Sequence, residues 1–405
     1  MAEDSKFIEG GSVTSPQGFK AGATFAGMKT YAKDKLDLGL LVSERLCTAA
    51  AVFTTNKVRS PSVVYSQEQF AKGKVRAVVA NSGIANCMVG EQGYTDAKEA
   101  VAMAARYLRL DEDEVAICST GVIGAELPMA LVREAMPRIK MSNENGRAFA
   151  RAIMTTDTRP KYVAVNFEVE GKKATLGGCA KGVGMIHPNM ATMLAFLTTD
   201  AAVEGEFLQK ALKHAVDNSF NMLSVDGDTS TNDTVLLLAN GAVGNDPIGG
   251  DSADARAFQD ALHDVCQYLT RELARDGEGA SRLLHIRIED ARSAEDARKA
   301  ARTIVSSNLV KTAVHGADPN WGRVAAALGR SGADVDEKKL ALYINDMCIL
   351  WEGVQIPFHK DSVVAAMRGP EVSIRIKLGL GLGSADAWGC AMSEEYVTIN
   401  SAYTT

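Results

Sequence analysis

The chain of 405 residues has a net charge of −6 and a pI near 5.7, which disfavours nucleic acid as its main partner. Its 46% hydrophobic and 23% charged residues are typical of a soluble globular protein with two domains, or with one large α/β unit and an appended lobe. The seven cysteines include no C-x-x-C pair, no apolar run reaches membrane-spanning length and no apolar leader opens the chain. These features indicate a cytoplasmic protein with reduced thiols.

Short apolar runs and helical patterns alternate in the first half. Thr95 is predicted to cap a helix that reaches about residue 108, and Pro128 to begin another. Glu170-Gly171 is predicted to be the turn of a hairpin. The other predicted elements are a loop at 10–22, strands at 36–42, 49–54, 77–80 and 115–118, a turn at 81–83, and hairpin strands at 162–170 and 173–177.

The second half continues with longer helices. Predicted helices cover 203–220, 294–314 and a stretch from Asp251 or Ser252 to about 274; predicted strands cover 234–239, 283–288, 340–344, 372–378 and the last residues from 396. Several predicted strands are sequence neighbours and at least one hairpin is expected. The pattern therefore predicts mixed α/β layers instead of a purely parallel sheet.

Residues 178–201 form the most unusual stretch of the chain. Gly182, Gly184 and Pro188 predict a loop, and an apolar strand follows at 192–198. A threonine that begins a strand behind such a loop is well placed to attack the peptide bond that precedes it. Cleavage between Ala191 and Thr192 would give Thr192 both a nucleophilic hydroxyl and an α-amine base. The alternative is an ordinary threonine at a strand edge.

Two basic residues accompany that threonine. Lys181 would lower the pKa of a nearby α-amine by like-charge repulsion, although an isolated lysine is more often solvated. His187 is a second candidate base, but a histidine before a proline is equally typical of a structural turn.

Other polar groupings have both a functional and a structural interpretation. Thr120 and Gly121 follow a strand and could supply oxyanion donors, or form a plain turn. The run 155–158 could bind a polar substrate or form a Ser/Thr turn, and Glu278 could line a binding site or follow a helix end. The pair Asp226 and Asp228 lacks the glycine and the glutamate of a calcium loop, and we find no metal-ligand spacing.

These motifs occur together in one known family. Residues 181–194, Lys-Gly-Val-Gly-Met-Ile-His-Pro-Asn-Met-Ala-Thr-Met-Leu, closely resemble the self-cleavage motif of the ornithine acetyltransferase (ArgJ) family. The resemblance runs from about residue 10 to the C-terminus. It also includes the stretches 52–56, 119–124, 225–234, 274–279, 316–323 and 396–405.

The resemblance implies a bifunctional enzyme of arginine biosynthesis, a glutamate N-acetyltransferase that moves acetyl from N-acetyl-L-ornithine to L-glutamate without a cofactor. Some members also use acetyl-CoA, as amino-acid N-acetyltransferases. It implies an ArgJ/DmpA-like N-terminal-nucleophile-type sandwich with a second, smaller α/β lobe, cut into an α chain, 1–191, and a β chain, 192–405, that assemble as an α2β2 heterotetramer. The implied site comprises the nucleophile Thr192, the oxyanion-hole residues Thr120 and Gly121, and the substrate-binding residues Thr155, Lys181, Thr192, Glu278, Asn400 and Thr405.

The chain departs from the family pattern at Val183, Ile84, Ser401 and Thr404, which bears on donor preference and affinity more than on the reaction. Two other functions compete with acetyl transfer. One is an aminopeptidase or amidase with an N-terminal nucleophile on a related fold, which would pass its acyl group to water. The other is a non-catalytic regulator that binds amino acids, because a fold alone does not determine a function.

Overall fold

Strands and helices alternate along the chain in the computed structural model, which describes residues 6–29, 35–187 and 193–402. The strands are β1 (Phe19–Thr24), β2 (Leu38–Ser43), β3 (Thr48–Phe53), β4 (Ala77–Ile84), β5 (Val115–Val122), β6 (Lys161–Val169), β7 (Lys172–Lys181), β8 (Leu194–Thr199), β9 (Leu223–Ser224), β10 (Thr234–Ala239), β11 (Leu283–Ala291), β12 (Ala341–Ile344), β13 (Met347–Trp351), β14 (Val354–Gln355), β15 (Glu371–Lys377) and β16 (Gly383–Cys390). The helices are α1 (Pro61–Ala71), α2 (Gly90–Leu108), α3 (Met129–Ala135), α4 (Gly146–Ala152), α5 (Gly205–Asp217), α6 (Ala253–Arg275), α7 (Ala294–Val305), α8 (Asn308–His315), α9 (Trp321–Gly329), α10 (Lys360–Met367) and α11 (Glu394–Ala402). None of these helices combines the length and apolar composition needed to cross a membrane.

Two sheets pack face to face at the centre of the fold. The first has the strand order β1-β2-β4-β5 and the second β3-β10-β8-β7-β6. Leu41 of the first sheet and Phe196 of the second belong to one buried cluster between them. Their neighbours Leu40 and Leu197 belong to clusters on the outer faces, as expected from the two-residue period of a strand.

Helices cover both outer faces. Ala97 and Val101 of α2 pack with Leu40 against the first sheet. Leu212 of α5 and Leu262 of α6 pack with Leu197 against the second. The resulting order of helices, sheet, sheet and helices confirms the predicted mixed α/β sandwich.

A third sheet extends the fold beyond α6. Its strand order is β14-β13-β12-β15-β11-β16-β9, and α6 contacts both this sheet and strands β6 and β7 of the second. The predicted start of α6 is confirmed, because the Ser252 hydroxyl accepts a hydrogen bond from the Ala255 amide at 3.0 Å. The helix ends at Arg275, which brings Asp276 and Glu278 to the point where the second and third sheets meet.

The parallel pair β4–β5 is longer than the sequence predicted. Residues 81–83 continue β4 instead of turning, and β5 runs on to Val122. Gly83 lies opposite Gly121 in the register, and a Cβ on Gly121 would lie 2.2 Å from the Gly83 carbonyl carbon. Gly121 also has φ +133, which side chains disfavour. Close pairing of β4 with β5 at these two glycines therefore extends the strand through the residues for which the sequence predicted a turn.

Three more predictions in the first half are wrong. The predicted loop at 10–22 contains the start of β1, which is held by antiparallel pairing with β2. The helix assigned to Thr95 begins at Gly90, and the Thr95 hydroxyl donates to the Glu91 carbonyl at 3.3 Å instead of capping. Strand β7 continues to Lys181, past the predicted end at 177, because β6 and β8 pair with it on both sides.

Two predictions in the second half are also wrong. The single helix predicted for 294–314 is divided into α7 and α8 at Ser306, whose hydroxyl donates to the Thr303 carbonyl at 3.2 Å and competes with the helical bonds. The final predicted strand is the helix α11. Glu394 and Glu395 occupy its first turn, where the helix dipole favours negative charge.

Gly177→Ala should destabilise the sandwich. Its Cβ would lie 2.1 Å from the Ser12 carbonyl oxygen, so the N-terminal segment must move away from β7. We expect a loss of about 1–3 kcal/mol in the free energy of unfolding, measured by denaturant titration. Gly329→Ala, at a helical glycine with nothing near its Cβ position, is the control and should be neutral or slightly stabilising.

Candidate active site

A cavity of about 140 Å³ lies where β5, β7, the segment after α6 and helix α11 converge. Six residues that the sequence assigned to the site line it: Thr120, Gly121, Thr155, Lys181, Glu278 and Asn400. The remaining lining residues are Ala85, Ile123, Thr156, Gly184, Met185, Asp228, Ser230, Thr231 and Asn232. The other predicted site residues, Ala191, Thr192 and Thr405, lie outside the described residues.

The Lys181 ammonium connects two walls of the cavity. It donates to the Thr120 hydroxyl at 3.2 Å and to the Thr155 hydroxyl at 2.9 Å. Burial lowers the pKa of Lys181, while the Asp157 carboxylate opposes that shift. The Lys181 amine is thus desolvated, and its electrostatic interactions inside the cavity are stronger than they would be in water.

The Glu278 carboxylate lines the same cavity as Lys181 and connects two other segments. It accepts hydrogen bonds from the Thr156 hydroxyl at 2.7 Å and from the Asn400 side-chain amide at 2.8 Å. Its own backbone amide donates to the Val183 carbonyl at 2.8 Å. A Cβ on Gly184 would lie within 2.6 Å of both Glu278 carboxylate oxygens, so a side chain there would displace the carboxylate. The cavity therefore offers one buried cation and one buried anion.

A buried ion cluster holds the backbone of the segments that line the cavity. The Lys161 ammonium donates to Asp157 at 2.6 Å and to Asp276 at 2.5 Å, and its side chain has no solvent exposure. Asp157 also accepts from the backbone amides of Gly182 at 3.0 Å and Thr155 at 3.1 Å. Although burial alone would raise the pKa of Asp157, the Lys161 and Lys181 cations hold it at about 2. Asp157 is therefore ionised at neutral pH.

Asp226, excluded above as a calcium ligand, stabilises the glycine-rich segment before the proposed cleavage point. Its carboxylate accepts from the backbone amides of Met185 and Ile186, the latter at 2.8 Å. The Ile186 carbonyl in turn accepts from the Val225 amide at 2.7 Å. The described residues contain no group of three or more His, Cys, Asp or Glu side chains that could hold a metal ion.

His187 lies on a different cavity from the other candidate residues. It shares a cleft of about 690 Å³ with Arg302, whose Nη2 lies 3.5 Å from His187 Nε2. His187 Nδ1 lies 3.1 Å from the Ser224 hydroxyl. A guanidinium only donates, so Nε2 accepts and Nδ1–H donates to Ser224. Burial, assisted by Arg302, lowers the pKa of His187. Both ring nitrogens are thus occupied away from the first cavity.

The sequence did not identify several residues of this site. Thr156 belongs to a polar run whose members received no separate roles, and Lys161 lies just before the strand predicted at 162–170 and received no role. Residues 228–232 matched a family stretch without a role. The signal for Lys161 would have been a lysine at the start of an apolar strand and four residues after Asp157, since a buried cation requires a partner.

The chain is similar to a known family over nearly its whole length. The profile described as "ArgJ family" matches residues 20–405. "Arginine biosynthesis bifunctional protein ArgJ" of Dehalococcoides mccartyi is 50% identical over 405 residues, covering 100% of both chains. The protein of the same name from Staphylococcus aureus is 42% identical and covers 98% of this chain and 96% of its own.

A solved structure shares part of the fold. The crystal structure of "Arginine biosynthesis bifunctional protein argJ" from Bacillus halodurans is 38% identical, with a TM-score of 0.51. The similarity covers 52% of this chain and 100% of the solved chain, so that solved chain is about half as long.

Asp157→Asn should destabilise the protein at neutral pH, because it leaves the Lys161 ammonium with a weaker partner. We expect a loss of about 3–5 kcal/mol in the free energy of unfolding at pH 7. The pKa of Asp157 lies at about 2, below its ordinary value of 3.8, so its stabilisation is complete above pH 3.8 and is lost as the pH falls through 2. The difference between wild type and variant should therefore shrink towards pH 2.

Urea titrations at pH 7, 5, 3 and 2 would measure that difference. Asp113→Asn is the control, because Asp113 pairs with Lys74 at the surface and its loss should change stability little. A difference in the free energy of unfolding between wild type and Asp157→Asn that stays constant between pH 5 and pH 2 would contradict the assigned charge of Asp157.

His187→Gln should retain most of the activity of the site. A residue that acts as general base contributes on the order of 10²–10⁴ in rate, whereas loss of a buried structural contact costs stability instead. We expect less than about a tenfold loss in kcat with a lower melting temperature. A loss of about a hundredfold or more at unchanged stability would restore His187 as a base.

Proposed function

Because the chain belongs to the ArgJ family of enzymes, we propose that it transfers acetyl from N-acetyl-L-ornithine to L-glutamate in arginine biosynthesis, releasing ornithine and N-acetylglutamate. Acetyl-CoA is the second donor to be tested in the same assay. The site reaction is the same in either case: a nucleophile accepts the acetyl group and passes it to an amine. The proposed location is the cytoplasm.

The observation that carries the proposal is the contact of Lys181 with Thr120 and Thr155, next to the strand that follows Thr192. Leu194 pairs with Lys181 across β7 and β8. Leu194 stands two positions after Thr192 in the sequence. The nucleophile, the proposed oxyanion donors and the buried cation would then share one cavity.

The first proposed step is self-cleavage. The Thr192 hydroxyl attacks the Ala191 carbonyl, the acyl group moves from nitrogen to oxygen, and water hydrolyses the ester. The products are the Ala191 carboxylate and the Thr192 α-amine, so residues 1–191 and 192–405 become two chains that stay together and assemble as α2β2. The half-length Bacillus halodurans chain supports a two-chain protein, since either fragment would have about that length.

The second proposed step is acetyl transfer. The Thr192 hydroxyl attacks the acetyl carbonyl of N-acetylornithine and gives its proton to the α-amine, which returns a proton to the departing ornithine amine. The amine of glutamate then attacks acetyl-Thr192 and restores the hydroxyl. Thr120 and the backbone at Gly121 donate to the oxyanion in both halves of the reaction. The buried Lys181 cation favours the neutral α-amine, whose ordinary pKa is about 7.7–8.0.

The two charges of the cavity match the substrates. N-acetylornithine carries a carboxylate and an ammonium, and glutamate carries two carboxylates and an amine. Lys181 would attract carboxylates of the substrates, and Glu278 would orient an ammonium. The Thr155 hydroxyl holds the Lys181 side chain in place. Thr156 and Asn400 hold the Glu278 carboxylate. Thr405 is proposed as a further substrate contact from the family motif alone.

Intact-mass spectrometry of the purified protein, before and after brief exposure to N-acetylornithine, tests both steps. We expect two chains that divide before Thr192, with one acetyl group added to the chain 192–405. Thr192→Ala should give one uncut, inactive chain, and Thr120→Val should slow cleavage and transfer by about 10²–10³.

The alternative functions predict other spectra. An aminopeptidase or amidase would cleave itself but release acetate to water without forming N-acetylglutamate. A non-catalytic regulator would stay uncut and take up no acetyl group. Cleavage of the Thr192→Ala variant would rule out Thr192 as the self-cleaving nucleophile.

A further inference from the structure

Lys29 is a half-buried lysine that the proposed reaction does not use. It follows a short segment in which the backbone amides of Ala26, Gly27 and Met28 all donate to the Asp37 carboxylate, at 2.5, 2.9 and 2.7 Å. One carboxylate therefore orients three consecutive residues. This arrangement determines where the chain presents Lys29.

The Lys29 ammonium contacts the segment that precedes Thr155. It donates to the Met154 carbonyl at 2.8 Å and to the Ser82 hydroxyl at 3.1 Å. The Ser82 hydroxyl donates in turn to the Ala152 carbonyl at 2.6 Å. Two carbonyls of residues 152–154 are thus anchored to β4 through Lys29 and Ser82.

The backbone of Lys29 also contacts the opposite wall of the site. A Cβ on Gly83 would lie 2.9 Å from the Lys29 Cα, so the two backbones touch. Gly83 in turn lies against Gly121. Lys29 therefore packs against both the strand pair that carries Gly121 and the segment that carries Thr155.

No carboxylate of the described residues hydrogen-bonds to the Lys29 ammonium. Burial lowers the pKa of Lys29 to about 8; Lys181 and Lys35 act in the same direction, while Asp37 and Asp157 oppose it from a distance. The amine is still mostly protonated at pH 7. Its hydrogen bond to Met154 is therefore charge-assisted, and such bonds are among the strongest that fix a carbonyl.

We propose that Lys29 is a positioning residue of the acetyl-transfer site. Its ammonium holds the Met154 carbonyl, and this keeps the hydroxyls of Thr155 and Thr156 directed at Lys181 and Glu278. The inference rests on the proposed function for its kinetic consequence. Its structural consequence, an ordered segment at 152–156, does not depend on the reaction.

Kinetics of Lys29→Met test the first consequence. We expect kcat/KM for transfer from N-acetylornithine to glutamate to fall about tenfold or more, and Lys29→Arg to recover most of it. In a double-mutant cycle with Thr155→Val, Lys29→Met should add little, because without the Thr155 hydroxyl there is no contact between Thr155 and Lys181 left for Lys29 to position. Lys20→Met, which removes a surface ion pair with Glu44 in the same region, is the control with wild-type kinetics.

Hydrogen–deuterium exchange tests the second consequence even if the chain does not transfer acetyl. The amides of Met154 and Thr155 are hydrogen-bonded within this segment, so Lys29→Met should accelerate exchange in peptides that cover residues 150–158, and Lys29→Arg should not. Unchanged exchange, or kinetic effects of Lys29→Met and Thr155→Val that simply add, would overturn the positioning role.

Discussion

The site depends on a buried cation with two carboxylates. Lys161 is the first residue of β6, yet its ammonium is enclosed between Asp157 and Asp276, which follow α4 and α6. Removing Lys161 would leave two buried carboxylates without their shared cation, and removing either carboxylate would weaken the neutralisation of that cation. The cluster therefore fixes the segment at 155–161 relative to the segment after α6, and both segments contribute residues that line the cavity.

The two carboxylates of this cluster also hold the segments that carry the two charged residues of the cavity. Asp157 accepts from the Gly182 amide, which follows Lys181, and from the Thr155 amide, whose side chain contacts Lys181. Asp276 lies two residues before Glu278 and accepts from both the amide and the hydroxyl of Thr158. The cation and anion that would recognise amino-acid substrates are thus held by backbone hydrogen bonds instead of by flexible side chains alone. Such preorganisation lets a site act on charge without first reorganising itself.

Local patterns predicted those elements whose signals lie within one segment. The hairpin turn at Glu170-Gly171 has two residues with positive φ and glycine at the second, and the sequence identified it correctly. Helix α6 was found because a serine cap, a long apolar period and a glycine all lie within one run. The turn predicted at 81–83 and the strand predicted at the C-terminus failed because pairing with β5 and docking against Glu278 act between distant segments.

The sequence by itself determined the mixed α/β class and, through its motifs, the family and six of the residues that line the cavity. These features can be recognised from residue type and spacing alone, because a glycine-rich loop before a threonine is defined by those residues in that order. Only the tertiary structure decided that Lys181 and Glu278 line one cavity, that His187 belongs to another cleft, and that Lys161 and Lys29 support the site. Those relations depend on burial and on which distant segments meet. The role of a buried charged residue follows from the partner that neutralises it, and the tertiary structure determines that partner.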